Sequence, residues 1–377
     1  MSKLILKGAN IVWTGTVGRG GHIMYALQWL YGLRLLGHEV LYYDRISDRP
    51  EAAALFGQIM ESWWDSRLAV AMRPIGESVF GPSVAEIEAF ARDAAGIISL
   101  GCQFSADPDP WLASVRPRVL IDQEPGFSQL WAMEASSIEE ILGRHDLYFT
   151  VGPNIGTARS SLPTLGIDWH PIWNPVVTDW WKPEAPRTRD RFTTIAGLWL
   201  NAYQPFEGVM WGPKTEELRR FLRLPTLAGE PIEIALESGS GDELVEDLAQ
   251  NGWQVESAEA VALTPGSYRE YIADSAGEFS CAKGLHVGSK SGWFSDRSAC
   301  FLAAGRPVVI QDTGIQDLLP TGAGVFPVAT VEEAADAIRR IRMDYERQST
   351  IARQIALDYF DARRVLPVLL EAMGVTR

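Results

Sequence analysis

The chain of 377 residues has only three cysteines, Cys102, Cys281 and Cys300, none of them in a C-x-x-C pair or beside a histidine at zinc spacing. That scarcity excludes a disulfide framework and a sequence-encoded zinc site, and it fits a reducing compartment. Long apolar runs are missing too: no stretch approaches the ~20 residues a membrane span needs. The start, M-S-K-L-I-L-K-G-A-N-I-V-W, lacks the apolar run and small-residue cleavage site of a signal peptide, so the expected location is the cytoplasm. Basic residues are outnumbered, 34 against 48 acidic, for a formal net charge of −14, and Lys and Arg form no run. Such a surface repels a polyphosphate backbone, so no nucleic-acid partner is expected. A small anion remains compatible, because a few backbone N–H groups and one or two cations can hold a phosphate inside an acidic protein.

With 46% hydrophobic and 22% charged residues, the composition is that of a chain that buries a core. Its length favours two domains over one. The segment N-I-V-W-T-G from Asn10 reads as a buried strand, followed by the glycine cluster G-T-V-G-R-G-G and an apolar-periodic helix from His22 to Leu36 that stops at Gly37. E-V-L-Y-Y-D supplies the next strand and completes a βαβ unit, with further strands in G-I-I-S-L, R-V-L-I-D ending at Asp122, and D-L-Y-F-T-V. The expected fold class is therefore α/β, with a doubly wound Rossmann-like first domain over residues 1–180. Proline and charge concentrate in W-K-P-E-A-P-R-T-R-D-R, a linker over 181–191, and the alternation restarts with T-T-I-A-G-L-W, K-T-E-E-L-R-R-F-L and P-I-E-I-A-L-E. A second Rossmann-like domain over 192–348 and C-terminal helices over 349–377 that cross back to the first domain complete the expectation.

Candidate site residues cluster at strand ends and helix starts. Gly18, Gly20 and Gly21 let backbone approach an anion, but a dinucleotide fingerprint fails because Ile23 stands where its third glycine belongs. Asp44, at the end of the second strand, keeps a nicotinamide oxidoreductase as a rival. His22 follows the glycines and suits general-base work, the alternative being a helix-start histidine bonded to a carbonyl. Asp122 is placed to orient it, Glu124 is a spare for that task, and both also read as ordinary strand-end polar residues. In S-G-W-F-S-D-R-S-A-C-F-L-A-A-G from Ser291, Gly292 and Ser295 precede a helix predicted to start at Asp296, its N-cap, and to end before Gly305. Its first-turn N–H groups with Ser295, Ser298 and Arg297 form a diphosphate site, or a plain capped helix. Gln311, Asp312 and Thr313 follow the next strand and suit the hydroxyls of one ring, or cap their own loop. Lys214, opening a helix, is either a cation for the same ligand or a surface lysine. Of the fourteen tryptophans, Trp293 and Trp211 are candidates to stack on a base or sugar.

Taken together these motifs resemble the GT-B class of nucleotide-sugar glycosyltransferases across nearly the whole chain. G-R-G-G-H at 18–22 is similar to the loop of the transferase that adds N-acetylglucosamine to a peptidoglycan lipid. S-A-C-F-L-A-A-G-R-P-V-V is similar to the donor motif of the class, and E-F-S-C-A-K with the stretch from Ser291 to Gly314 resembles a bacterial group of glycosyltransferases. The resemblance implies two Rossmann-like domains facing a cleft, a UDP- or TDP-type sugar donor mainly on the second, a small-molecule or glycan acceptor mainly on the first, and neither metal nor cofactor. It implies a base at His22 paired with Asp122, phosphate contacts from Ser295 and Ser298, and sugar contacts from Gln311 and Asp312. Retaining members carry a glutamate where this chain has Cys300, and a ribose-binding glutamate of many relatives is replaced by Phe301, so inversion is the expectation. The rivals are a sugar-nucleotide epimerase of the same fold and a binding protein without turnover. A homodimer is left open.

Overall fold

The computed structural model describes residues 1–8, 11–12, 19–73, 78–101, 111–182, 190–197, 203–237 and 241–375. Gly18, Cys102 and most of the expected linker, 183–189, lie outside them. Strands β1 (Lys3–Gly8), β2 (Glu39–Arg45), β3 (Ala69–Met72), β4 (Ser78–Phe80), β5 (Ala94–Leu100), β6 (Arg118–Asp122), β7 (Leu147–Thr150) and β8 (Trp169–Pro171) form one sheet in the order β4-β3-β2-β1-β5-β6-β7-β8. All its neighbours are parallel except β3 and β4. The first strand is K-L-I-L-K-G, a correction to the expected N-I-V-W-T-G: Ile11 and Val12 are buried in a turn beyond the strand's end. K-L-I-L-K-G finds partners on both sides, β2 and β5, and the rest of N-I-V-W-T-G lies outside the described residues.

After β9 (Phe192–Ala196), the strands β10 (Gln204–Phe206) and β11 (Val209–Trp211) form a separate hairpin. Strands β12 (Ile232–Leu236), β13 (Trp253–Ser257), β14 (Gly277–Ser280), β15 (Val308–Gln311) and β16 (Val325–Val328) join β9 in a second sheet, ordered β13-β12-β9-β14-β15-β16 and wholly parallel. Buried on both faces, its central strands read as near-continuous apolar runs, as parallel strands covered by helices must. In each sheet the strand order reverses beside the first strand, between β1 and β5 and between β9 and β14, and ligands of open α/β sheets bind outside the strand C-termini at such points.

Helix Gly20–Leu35 locks the two halves together. One side packs in the first core through Leu27, Leu30 and Leu33, while Met24 belongs to a cluster with Tyr268, Ile272 and Phe301 of the second domain. The C-terminal helix Ala362–Ala372 crosses back and lies on it: Leu366 and Leu369 enter the first core. A Cβ on Gly32 would sit 2.6 Å from Leu366 and 2.9 Å from Ala362, so the bare backbone sets how closely these helices approach.

Candidate active site between the two sheets

A cavity of ≈ 260 Å³ opens where the C-terminal ends of the two sheets meet. The first domain supplies Arg19 and His22 from the start of helix Gly20–Leu35 and Glu124 from the loop after β6. The second supplies Lys214, Lys283, His286, Trp293, Asp296 and Arg297. Glu237, following β12, meets Arg19 across the gap at 3.6 Å. Burial raises the Glu237 pKa, and Arg19 offsets only part of that.

On the first wall, His22 occupies the first turn of its helix, solvent-exposed, with its ring centroid 6.4 Å from that of Tyr25. Gly20 does not cradle an anion. Its N–H donates to Ala262 O at 3.0 Å, and a Cβ there would lie 2.3 Å from Thr264 O, so this glycine admits the second domain instead of a ligand. Gly21 lines the cavity, but its missing side chain makes room for Tyr268, 2.8 Å from where a Cβ would stand.

Asp122 does not orient His22. Its Oδ1 accepts from Ser128 Oγ at 2.5 Å and Glu124 N at 3.0 Å, and its Oδ2 from Thr150 Oγ1 at 2.9 Å and Gln129 Nε2 at 3.0 Å. At 1% exposure it ties the end of β6 to β7 and the next helix; burial raises its pKa despite those donors. Asp44 is spent in the same way, accepting from Ile11 N at 2.9 Å and Tyr42 Oη at 2.8 Å with no exposed surface, which removes it as a ribose ligand.

On the second wall, Lys214 opens a short helix and makes no hydrogen bond or ion pair with the described residues. Burial, and then the charge of Arg297, pushes its pKa down to about 7. Helix Asp296–Ala303 begins one residue earlier than expected: Ser295, not Asp296, is the N-cap, its Oγ accepting from Arg297 N at 3.3 Å, and Asp296 is the first helical residue. Burial raises the Asp296 pKa. Gly305 follows the helix with φ +68°, the left-handed cap that glycine favours. Ser298 lies in a small neighbouring cavity of ≈ 10 Å³, its Oγ buried without a partner. The Arg297 guanidinium is largely used up: Nε donates to Glu278 Oε1, Nη1 to Ile195 O and Nη2 to Ser280 Oγ, each at 2.6 Å. It neutralises a carboxylate with no exposed surface and stitches β9 to β14.

Of the remaining predicted residues Ser291 meets the first domain, and the others are bonded within the second. Ser291 O accepts from Asn154 N at 3.0 Å, Gly292 N donates to Thr313 O, and Asn154 Nδ2 donates to Lys290 O and Gly314 O. Gln311 donates to Glu217 and accepts from Ala282 N, Asp312 pairs with Lys290 at 2.8 Å, and Thr313 Oγ1 donates to Trp293 O. None of these five lines the larger cavity, and Gln311 lines the smaller one with Ser295, Ser298 and Trp293. Trp211 packs over Gly288, away from the cavity that Trp293 lines.

Two residues that the sequence reading passed over stand at the centre. Lys283 follows β14, and its Nζ lies 2.7 Å from both oxygens of Glu124. His286 sits one turn on, its ring stacked on Trp293 at 4.8 Å and 8°, with Nε2 3.6 Å from Glu124 and Nδ1 buried without a partner. Burial works against ionising Glu124, but Lys283 and His286 outweigh it and hold the carboxyl down at about 2. The signal for Lys283 was its place just past a buried strand in E-F-S-C-A-K. Among the described residues no group of three or more His, Cys, Asp or Glu is arranged to hold a metal.

No family model and no curated protein matches the chain. Solved structures do. An α-glucosyltransferase in complex with UDP and a 13-mer DNA superposes with TM-score 0.61 at 11% identity, covering 99% of this chain and 100% of that one. HepE of Anabaena in complex with UDP and glucose gives 0.55 at 13% identity and full coverage of both chains. AviGT4, a glycosyltransferase involved in avilamycin A biosynthesis, gives 0.54 at 12% identity, covering 99% and 97%. Two Rossmann-like sheets facing a cleft, the helix that crosses back, and end-to-end superposition on these structures give this chain the GT-B fold of glycosyltransferases.

Proposed function

We propose that the protein moves a sugar from a nucleoside-diphosphate sugar to an acceptor hydroxyl, with inversion and with His22 as the base. The observation that carries this reading is Lys214: a lysine without an ionic partner among the described residues, lining one cavity with the start of helix Asp296–Ala303, where the two strand-order reversals meet. A cation and the positive end of a helix are what a departing diphosphate requires, because charge develops on it as the glycosidic bond breaks. In this reading they take that charge without a metal ion. The structural neighbours bound to UDP or to UDP and glucose support a nucleotide-sugar donor.

His22 supports the other half of the reaction. It enters from the first domain, exposed to the cavity, and an imidazole near neutrality can take the acceptor proton as the hydroxyl attacks the anomeric carbon. Cys300, at the position of the retaining glutamate, is 3% exposed and accepts from Gln28 at 3.6 Å, so that position brings no carboxylate to the cavity. Thermal-shift measurements with UDP, TDP, GDP, ADP and NAD test the donor: stabilisation by one nucleoside diphosphate is expected, and a response to NAD alone overturns the reading. With the donor so found, His22→Ala is expected to abolish transfer and leave donor binding intact, and the product is expected to have inverted anomeric configuration by NMR. Retention, or unchanged turnover, removes His22 from this role.

A further inference from the structure

Glu124 has a geometry unsuited to a base and suited to recognition. Its loop is fixed: Glu124 N donates to Asp122, and Glu124 O accepts from Ser128 N at 3.0 Å. Both carboxylate oxygens rest on Lys283 Nζ at 2.7 Å, and His286 stands behind at 3.6 Å. The side chains are graded in exposure, 1% for His286, 19% for Lys283 and 38% for Glu124, so the clamping side of the cluster is buried and the carboxylate edge faces the cavity. A carboxylate so clamped stays ionised and acts only as an acceptor, with lone pairs left on each oxygen.

Resting on the glycosyl-transfer reading, we infer that Glu124, fixed by Lys283 and His286 of the other domain, is the specificity-determining residue that binds two adjacent hydroxyls of the transferred sugar. Two parallel acceptor oxygens match a vicinal diol as they match the fork of an arginine. A deoxy position deprives one of those oxygens of its hydroxyl donor, and a carboxylate on the sugar meets like charge. Trp293, stacked on His286, forms the apolar part of the same wall. The Nδ1 of His286, in a residue 1% exposed, has no partner among the described residues, as in a wall that a ligand or an ordered water completes. The pairing also crosses the cleft, so sugar recognition and domain closure share one contact.

The test is titration calorimetry of the wild type, Glu124→Gln and Lys283→Met with UDP, UDP-glucose and its four monodeoxy analogues. If the thermal-shift panel selects another base, the same sugars are used on that diphosphate. For the wild type, deoxygenation at two neighbouring positions is expected to weaken binding by roughly tenfold or more each. In Glu124→Gln the penalties at those two positions should collapse towards unity while affinity for UDP changes less than about threefold. Lys283→Met, which leaves the carboxylate but frees it to move, should reduce the same two penalties. Deoxy penalties equal in wild type and Glu124→Gln overturn the inference and leave the transfer reading standing. Absence of any nucleoside-diphosphate binding by the wild type overturns both.

Discussion

Replacing Lys214 by Met is expected to stabilise the protein and cripple donor binding at once. Burial, reinforced by Arg297, lowers the lysine pKa from 10.5 to about 7. Between those values the unfolded chain holds a proton that the native state lacks, so stability rises with pH across the window; below about 7 the native state carries the whole cost of a desolvated ammonium. That difference corresponds to about 5 kcal/mol at most, and partial exposure to the cavity reduces it to roughly 2–4 kcal/mol. Lys214→Met removes the cost, so urea unfolding in mildly acidic buffer should show a gain of that order, shrinking as the pH is raised through the alkaline range. The diphosphate of a nucleotide sugar keeps its charge throughout, so the pH dependence of its binding reports the protein. Wild-type affinity should be highest below about pH 7 and fall by up to tenfold per unit above it, as the unliganded lysine loses its proton. In Lys214→Met the profile should be flat and affinity about 10–100-fold weaker at the acidic end, the loss of a charge-assisted contact. Calorimetry that finds the same affinity and the same profile in both proteins refutes the assignment of Lys214 to the diphosphate.

Three further outcomes are expected. Gly20→Ala places a methyl 2.3 Å from Thr264 O and 2.5 Å from Ala262 O, both backbone atoms, and should cost roughly 2–4 kcal/mol in chemical denaturation; an unchanged midpoint would show that the seam can yield. Asp122→Ala strips Ser128, Gln129 and Thr150 of their acceptor and should lower stability by about 3 kcal/mol, while the NMR titration of His22 in the folded fraction stays where it was; a shifted His22 titration would restore Asp122 as its partner. Arg297→Met leaves Glu278 charged and wholly buried, for a loss of about 3–5 kcal/mol that Glu278→Gln in the same chain should largely recover; failure of that rescue would assign Arg297 to the ligand instead of the sheet.

Much of the architecture was legible because it rests on local chemistry. Strands such as R-V-L-I-D and P-I-E-I-A-L-E are short β-branched runs that only a parallel, doubly covered sheet can bury, and the helix from Asp296 declares its end with Gly305 and its start to within one residue. His22 and Lys214 were legible as site candidates for a related reason: both open helices at the C-terminal side of a parallel sheet, where clefts form. The first strand was misplaced because K-L-I-L-K-G and N-I-V-W-T-G are equally apolar, and the choice between them depends on pairing with β2 and β5, far along the chain.

The sequence alone thus settled the succession of strands and helices, the two-domain α/β plan and the chemical types available at each strand end, since periodicity and capping act over a few residues. Only the tertiary structure decided how those groups are spent. Asp122, Arg297 and Gln311 are the right residue types in the right places, yet each is consumed by partners 2–102 positions away. Lys283 and His286 gain their meaning from Glu124, more than 150 residues earlier, because the C-terminal ends of the two sheets meet across one cleft. A polar side chain's role is set by which groups the fold desolvates beside it, and that is a property of packing between distant segments.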